Sequence, residues 1–254
     1  MTGVAVPQLV LLALLGFVGG VGITALGPGG VLPTIGLFAL TCLSPAEVAG
    51  TAIVTHIATG ALGSAAYTRS GQLRERETRR TAMLLAGGAV VGTPVGVLIN
   101  TAVDKRAFGI VLGLFVAAVA GLLWYRERRR PAATHAHPPP PVTAGLGLAV
   151  SAASGLIGIG GPMLSVPLLI ALGVPVLESL ASAQVQSVVI ATVGTVGYLA
   201  QGTISWPLAA LIGVPELAGV LLGWRIAHAL PTRTLKYGLI GTLLVLAAYL
   251  VARA

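Results

Sequence analysis

Leu26-Gly27-Pro28-Gly29-Gly30 and Gly158-Ile159-Gly160-Gly161-Pro162 decide how this chain is read. Each is a glycine- and proline-rich break set between apolar runs, and Gly29-Gly30 returns 131 positions later as Gly160-Gly161. The same offset carries Glu47 to Glu178, Thr51-Ala52 to Ser182-Ala183, Gly63 to Gly194, Tyr67 to Tyr198 and Gly71 to Gly202, with no gap between Gly29 and Leu73. Beyond the charged loop after Gly71 the offset becomes 127, so that Gly92 and Gly96 match Gly219 and Gly223, Ile99 matches Ile226 and Arg106 matches Arg233. A duplicated half in so apolar a chain is the mark of a secondary transporter.

Composition sets the class. Hydrophobic residues make up 56% of the 254 and charged residues 9%, with a mean hydropathy of +0.95. Soluble domains carry about 25% charge, so these values exclude an ordinary water-soluble fold. The net charge of +8 could suggest nucleic acid. The basic residues, however, sit in short loops between apolar runs and act as topology signals, which argues against a nucleic-acid partner. Cys42 stands alone, which excludes an internal disulfide and chemistry by a cysteine pair. The opening MTGVAVPQ has no basic region before its apolar run, so it is expected to begin a first membrane segment rather than a cleaved signal peptide.

Apolar spans are expected at 8–26, 31–43, 48–68, 81–100 and 107–125, and again at 142–158, 162–174, 179–200, 206–223 and 235–252. The chain thus divides into a first repeat over 1–125, an Arg/Pro-rich linker over 126–141 and a second repeat over 142–254. Proline and a run of charge keep the linker, RERRRPAATHAHPPPP, out of lipid. The second span of each half is short and starts at a glycine break, the best sequence pointer to a transporter's binding site. The expected fold is therefore an all-α polytopic membrane protein. It has two repeats of about four to five membrane segments each, with short or re-entrant glycine-broken helices.

Charge in the loops sets orientation. Arg69 to Arg80 holds five arginines against Glu75 and Glu77, and Arg126 to Arg130 holds four against Glu127. Both loops are expected on the cytoplasmic side. Parallel repeats would send Arg225, Arg233 and Lys236 outward, whereas inverted repeats keep them cytoplasmic, so inversion is the preferred reading. It leaves Asp104-Lys105-Arg106 outside and places both termini outside. It also requires an odd number of crossings per half, or three crossings plus a re-entrant hairpin. A multi-pass protein of the inner cell membrane is expected, and a homo-oligomer is compatible with the sequence.

The run Gly155-Leu-Ile-Gly-Ile-Gly-Gly-Pro-Met-Leu-Ser-Val-Pro-Leu-Leu169, followed by Leu172-Gly173 and Ala181-Ser182, resembles the sulfite exporter TauE/SafE family, also called the toluene sulfonate uptake permease family. The resemblance covers nearly the whole chain, including the duplication and the Gly-xxx-Gly stretch before Arg225. It departs from the family pattern at the first-half motif, where Thr24-Ala25-Leu26 precedes and Pro28 interrupts the glycines, and at Pro162, where a third glycine is common. The resemblance implies a membrane transporter of small sulfur-containing anions such as sulfite, thiosulfate or organosulfonates, without a cofactor.

Candidate substrate contacts follow from chemistry. Unwound backbone at Gly29, Gly30, Gly160 and Gly161 exposes N–H groups at the positive end of a following half-helix, which suits an oxyanion without placing permanent charge in lipid. The competing reading is close helix packing. Thr51, Thr55 and Thr59 share one helix face, and the matching segment offers Ser182 and Gln186, with Gln184 nearby. Hydroxyls and amides can bind sulfite or sulfonate oxygens while staying neutral, although interhelical hydrogen bonding is an equal alternative.

Two residues are candidates for coupling, with the proton as the ion. His56, matched by Ser187 in the second half, could donate to an anion or shuttle a proton, or be an isolated histidine satisfied by a neighbouring helix. Glu216 is an acid midway along an apolar span, costly and functional by default. Against that, Pro215 could break the helix and turn Glu216 to water. A cation or proton pathway using Glu216 and His56 is the alternative function. Glu47 and Glu178 begin spans, where a carboxylate simply favours a helix N-terminus. No metal site is expected, His135 and His137 in the linker being weak candidates. No Ser/His/Asp set, HExxH or catalytic carboxylate pair points to an enzyme.

Overall fold

A computed structural model describes residues 5–129 and 137–229. The predicted span 235–252, with Arg233 and Lys236 before it, and His135 lie outside them. The described chain is helical throughout: α1 (Val6–Ala25), a 3-10 turn at Pro28–Gly30, α2 (Val31–Leu40), α3 (Pro45–Arg69), α4 (Arg76–Asn100) and α5 (Lys105–Arg129) in the first half. The second half contributes α6 (Pro140–Ile157), α7 (Pro162–Ala171), α8 (Val176–Ala200) and α9 (Trp206–Ala229). Seven of these helices are long and apolar enough to cross a membrane. The protein is an all-α polytopic membrane protein. Helix α5 runs four residues past the end of its predicted span, carrying Arg126 to Arg129 as helix.

Local sequence explains the boundaries. Helix α3 opens on a capping box: the Ser44 hydroxyl accepts from Glu47 N–H and the Glu47 carboxylate accepts from Ser44 N–H at 2.8 Å. Pro45 pre-sets its first turn. Glu47 therefore has the helix-terminal role that its position suggests. Glu178 also lies in a first turn, but its carboxylate does more. It sits 3.1 Å from His137 Nε2 and accepts from Thr78, while His137 Nδ1 lies 2.8 Å from the Thr81 hydroxyl. The end of the linker is thereby pinned across α4 and α8.

Helices α2 and α7 have ten residues each, about 15 Å of rise against a hydrocarbon core of about 30 Å. Helix α2 folds back along α1, with Gly22 against Gly29, Gly19 against Pro33, and Gly36 against Leu15 and Leu12. In α6, Val150 and Ala153 stand where α1 has Gly19 and Gly22. There α7 leans on α8 instead, with Ser165 donating to Gln186.

The sequence repeat returns as a pattern of reciprocal contacts. Gly219 and Gly223 of α9 pack on the backbone of Phe17 and Val21 in α1, and Gly92 and Gly96 of α4 pack on Leu148 and Ala152 in α6. Each member of one pair is the repeat mate of a member of the other. The fourth segment of each half is thus clasped to the first segment of the other, where absent side chains let backbones approach, as helix packing in lipid favours. Tyr67 donates to the Thr24 carbonyl and Tyr198 to that of Gly155, both at 2.7 Å, again at the 131-residue offset.

The two central helices, α3 and α8, are themselves repeat mates. Gly50 meets Tyr198, Ile53 meets Gly194, Gly60 meets Val188, and Gly63 meets Gln184. Residue numbers fall along one helix as they rise along the other, so α3 and α8 run antiparallel.

Candidate functional site

The two glycine breaks meet inside the helical body. Gly27 and Gly158, repeat mates, both take positive φ, +102° and +77°, a conformation that glycine adopts without a Cβ penalty. Gly27 lies against the Pro162 carbonyl and Val166, and Thr34 donates to the Gly158 carbonyl at 3.1 Å. Helices α2 and α7 then lead away from this junction, starting at Gly30 and Gly161 with no side-chain cap on either N-terminus. Around Gly160 and Gly161 the backbone is outside any helix, and neither N–H finds a partner among the described residues. Those donors are chemically fit for an anion.

His56 of α3 sits between the breaks. A Cβ built on Gly30 would lie 3.3 Å from His56 Cε1, and one on Gly160 would lie 3.6 Å from His56 Cγ. Ser187, the repeat mate of His56, crowds Gly160 from α8. On the other side His56 Nδ1 is 3.4 Å from Glu216 Oε1, with Thr55 the carboxylate's other side-chain neighbour. Both side chains are wholly buried, and among the described residues neither the ring nitrogens nor the carboxylate oxygens make a well-formed hydrogen bond. A buried polar pair left this incomplete is costly within a membrane helix bundle.

One expectation is corrected here. Helix α9 runs unbroken through Pro215 and Glu216 is fully buried, so proline does not turn the acid to water. His56 does meet a neighbouring helix, where it faces Glu216 of α9. Reciprocity fails at this pair: the repeat mates of His56 and Glu216 are Ser187 and Ala89.

The remaining candidates divide. Thr51 accepts from Ser205 N–H at 2.9 Å, tying α3 to the start of α9. Ser182 donates to the Thr78 carbonyl at 3.2 Å, tying α8 to the start of α4. These four residues are again repeat mates in pairs. Thr55 and Thr59 donate to carbonyls of their own helix, Ala52 and Thr55. Gln186 accepts from Ser165 at 2.5 Å and donates to Ser151 at 3.2 Å and to the Gly147 carbonyl at 3.4 Å, with Gly161 packed against it. Gln184 donates to the Ile23 carbonyl. The structure thus gathers Gly30, Gly160, His56, Thr55 and Glu216 in one place and sets Gly161 and Gln186 beside them. Thr51 and Ser182 stand apart as interhelical ties. Thr34 and Ser165, which complete the junction, were detectable as a matched pair at the repeat offset.

The sequence model of the sulfite exporter TauE/SafE family matches residues 12–250, nearly the whole chain. The chain belongs to this family. TauE/SafE proteins are membrane transporters of sulfur anions, and a glycine-lined junction buried inside a multi-pass helical body fits that class. No match was found among curated proteins or among solved structures.

Proposed function

We propose that this protein is a secondary transporter of the inner cell membrane that carries a small sulfur-containing anion, sulfite, thiosulfate or an organosulfonate, by alternating access. The carrying observation is the convergence of both glycine breaks on His56. The free amides of Gly160 and Gly161, with Ser187 and the His56 ring, supply neutral or switchable donors for an oxyanion. Gly30 forms the facing side of the same junction, with Gly29 behind it against Gly22 of α1. Thr55 and Gln186 flank it, while Thr51 and Ser182 steady the helices that move.

Alternation follows from inverted repeats, a reading supported by the antiparallel run of the mates α3 and α8 and by the reciprocal clasps of α1 with α9 and α4 with α6. All the glycines of the junction are buried, so substrate enters only when one pair of clasped helices rocks against the other. The Arg-rich loops face the cytoplasm.

Protons are the coupling ion in this scheme. His56 and Glu216 can share one proton, and an anion entering beside a bare carboxylate would be repelled. Loading the pair with a proton removes that repulsion, so anion and proton travel together. The contact between Glu216 and His56 also favours a second reading, a proton or cation pathway in which the anion plays no part.

Counterflow in liposomes tests the proposal. Purified protein is reconstituted, and exchange of labelled sulfite and thiosulfate is competed with sulfonates and sulfate. Saturable exchange with selective competition is expected. Folded protein that exchanges no sulfur anion, yet conducts protons, would establish the second reading instead.

A further inference from the structure

Away from the junction, helices α3 and α9 enclose a groove of about 450 Å³ lined by Leu62, Ala66, Arg69, Leu221, Trp224 and Arg225. The two helices run parallel here, Thr55 lying beside Gly213 and the Tyr67 ring beside that of His228. Arg69 and Arg225 therefore share one end of the groove, with Leu62 and Leu221 one to two helical turns below them. Leu221 is 47% exposed, so the groove opens on the face that meets lipid. Among the described residues neither arginine has a carboxylate partner. The indole Nε1 of Trp224, in the same wall, is buried and makes no hydrogen bond among the described residues.

We infer that this groove binds an anionic phospholipid, with the phosphate held by Arg69 and Arg225 and the upper part of one acyl chain lying along Leu62, Ala66 and Leu221. The polarity of the groove grades along its length as a lipid grades from headgroup to chain. Two guanidinium groups without acidic neighbours suit a phosphodiester, to which arginine presents paired donors. A donor without a partner beside them can serve a phosphate or glycerol oxygen. Basic pockets between membrane helices on the arginine-rich side are the usual place for such headgroups. A free anion would satisfy the arginines but leave the apolar floor bare. The inference does not depend on which anion is transported.

The test titrates purified protein in detergent with phosphatidylglycerol, phosphatidylcholine or inorganic phosphate while following thermal unfolding. Saturable stabilisation by phosphatidylglycerol alone is expected. Each arginine removed should weaken apparent binding about fivefold. In R69Q/R225Q the phosphatidylglycerol response should vanish, with unfolding in detergent alone unchanged. Trp224→Phe, which keeps the apolar wall, should weaken binding less than the double change. Brominated phosphatidylglycerol should quench wild-type fluorescence more than that of the Trp224→Phe variant. Equal stabilisation by phosphatidylcholine, an unaltered response in R69Q/R225Q, or an equal effect of inorganic phosphate would overturn the inference. The last would assign the arginines to a free anion.

Discussion

Gly20 of α1 is packed directly on the backbone carbonyl of Glu216 in α9, at a distance that leaves no room for a Cβ. The helix that presents the buried acid is seated on a position without a side chain, one turn along from Gly16, which does the same for Ile212. The placement of the acid against His56 therefore depends on a residue that touches neither side chain.

Gly20→Ala should push α9 outward, costing about 1–3 kcal/mol as overpacking does and moving Glu216 from His56. A lowered unfolding temperature in detergent, together with loss of gradient-driven uptake, is the expected outcome. Unaltered values for both would show that the clasp has slack.

Glu216→Gln keeps the shape of the side chain and removes its titration. Uphill accumulation driven by a pH gradient should fall to the level seen without one, while anion counterflow persists. Loss of every flux, protons included, would instead make Glu216 part of the conducting path.

Substitution at the positive-φ glycines should sort by surroundings. Gly158→Ala meets both a left-handed backbone and the Ala49 main chain, whereas Gly71→Ala, at φ +101° in open space, meets only the first. The Gly71 change should cost about 1–2 kcal/mol and leave transport intact. The Gly158 change should prevent recovery of folded protein from the membrane. Comparable yields from size-exclusion chromatography would contradict this.

Tyr67→Phe and Tyr198→Phe each strand a buried carbonyl, of Thr24 and Gly155. A loss of about 1–3 kcal/mol is expected for each, read as thermal or denaturant unfolding in detergent. The two should be similar in size because the bonds are repeat mates of equal length. A tenfold disparity in unfolding constant would show that the halves bear load unequally.

Most of the fold was legible because its grammar is local. Apolar runs of about twenty residues give helices in lipid, and Ser44-Pro45 with Glu47 marks the start of α3. Paired Gly-Pro breaks mark the two short helices. The repeat offset even anticipates that Gly92 and Gly219 have like surroundings. It does not say what those surroundings are. That α4 clasps α6 and α1 clasps α9 is a fact of three dimensions, as is the meeting of His56 with Glu216, 160 positions apart. Read singly, the acid looked as if it could turn to water beside Pro215, because periodicity gives a helix its faces but not its neighbours. Thr51 and Ser182 illustrate the same limit. They share a polar stripe with Thr55 and Gln186, yet their hydroxyls are spent on the backbone starts of α9 and α4. His137 could not be placed at all from a proline-rich context, and it lies against Glu178 and Thr81.

The mismatch of His56 with Ser187, and of Glu216 with Ala89, has a thermodynamic meaning. In a carrier whose halves exchanged roles without trace, the inward-open and outward-open forms would be degenerate, and neither side of the membrane would be preferred at rest. Under the proposed inverted-repeat carrier, one ionisable pair without an ionisable repeat mate would lift that degeneracy. The resting form, and the side from which substrate is first met, would then be set by the proton content of two residues out of 254.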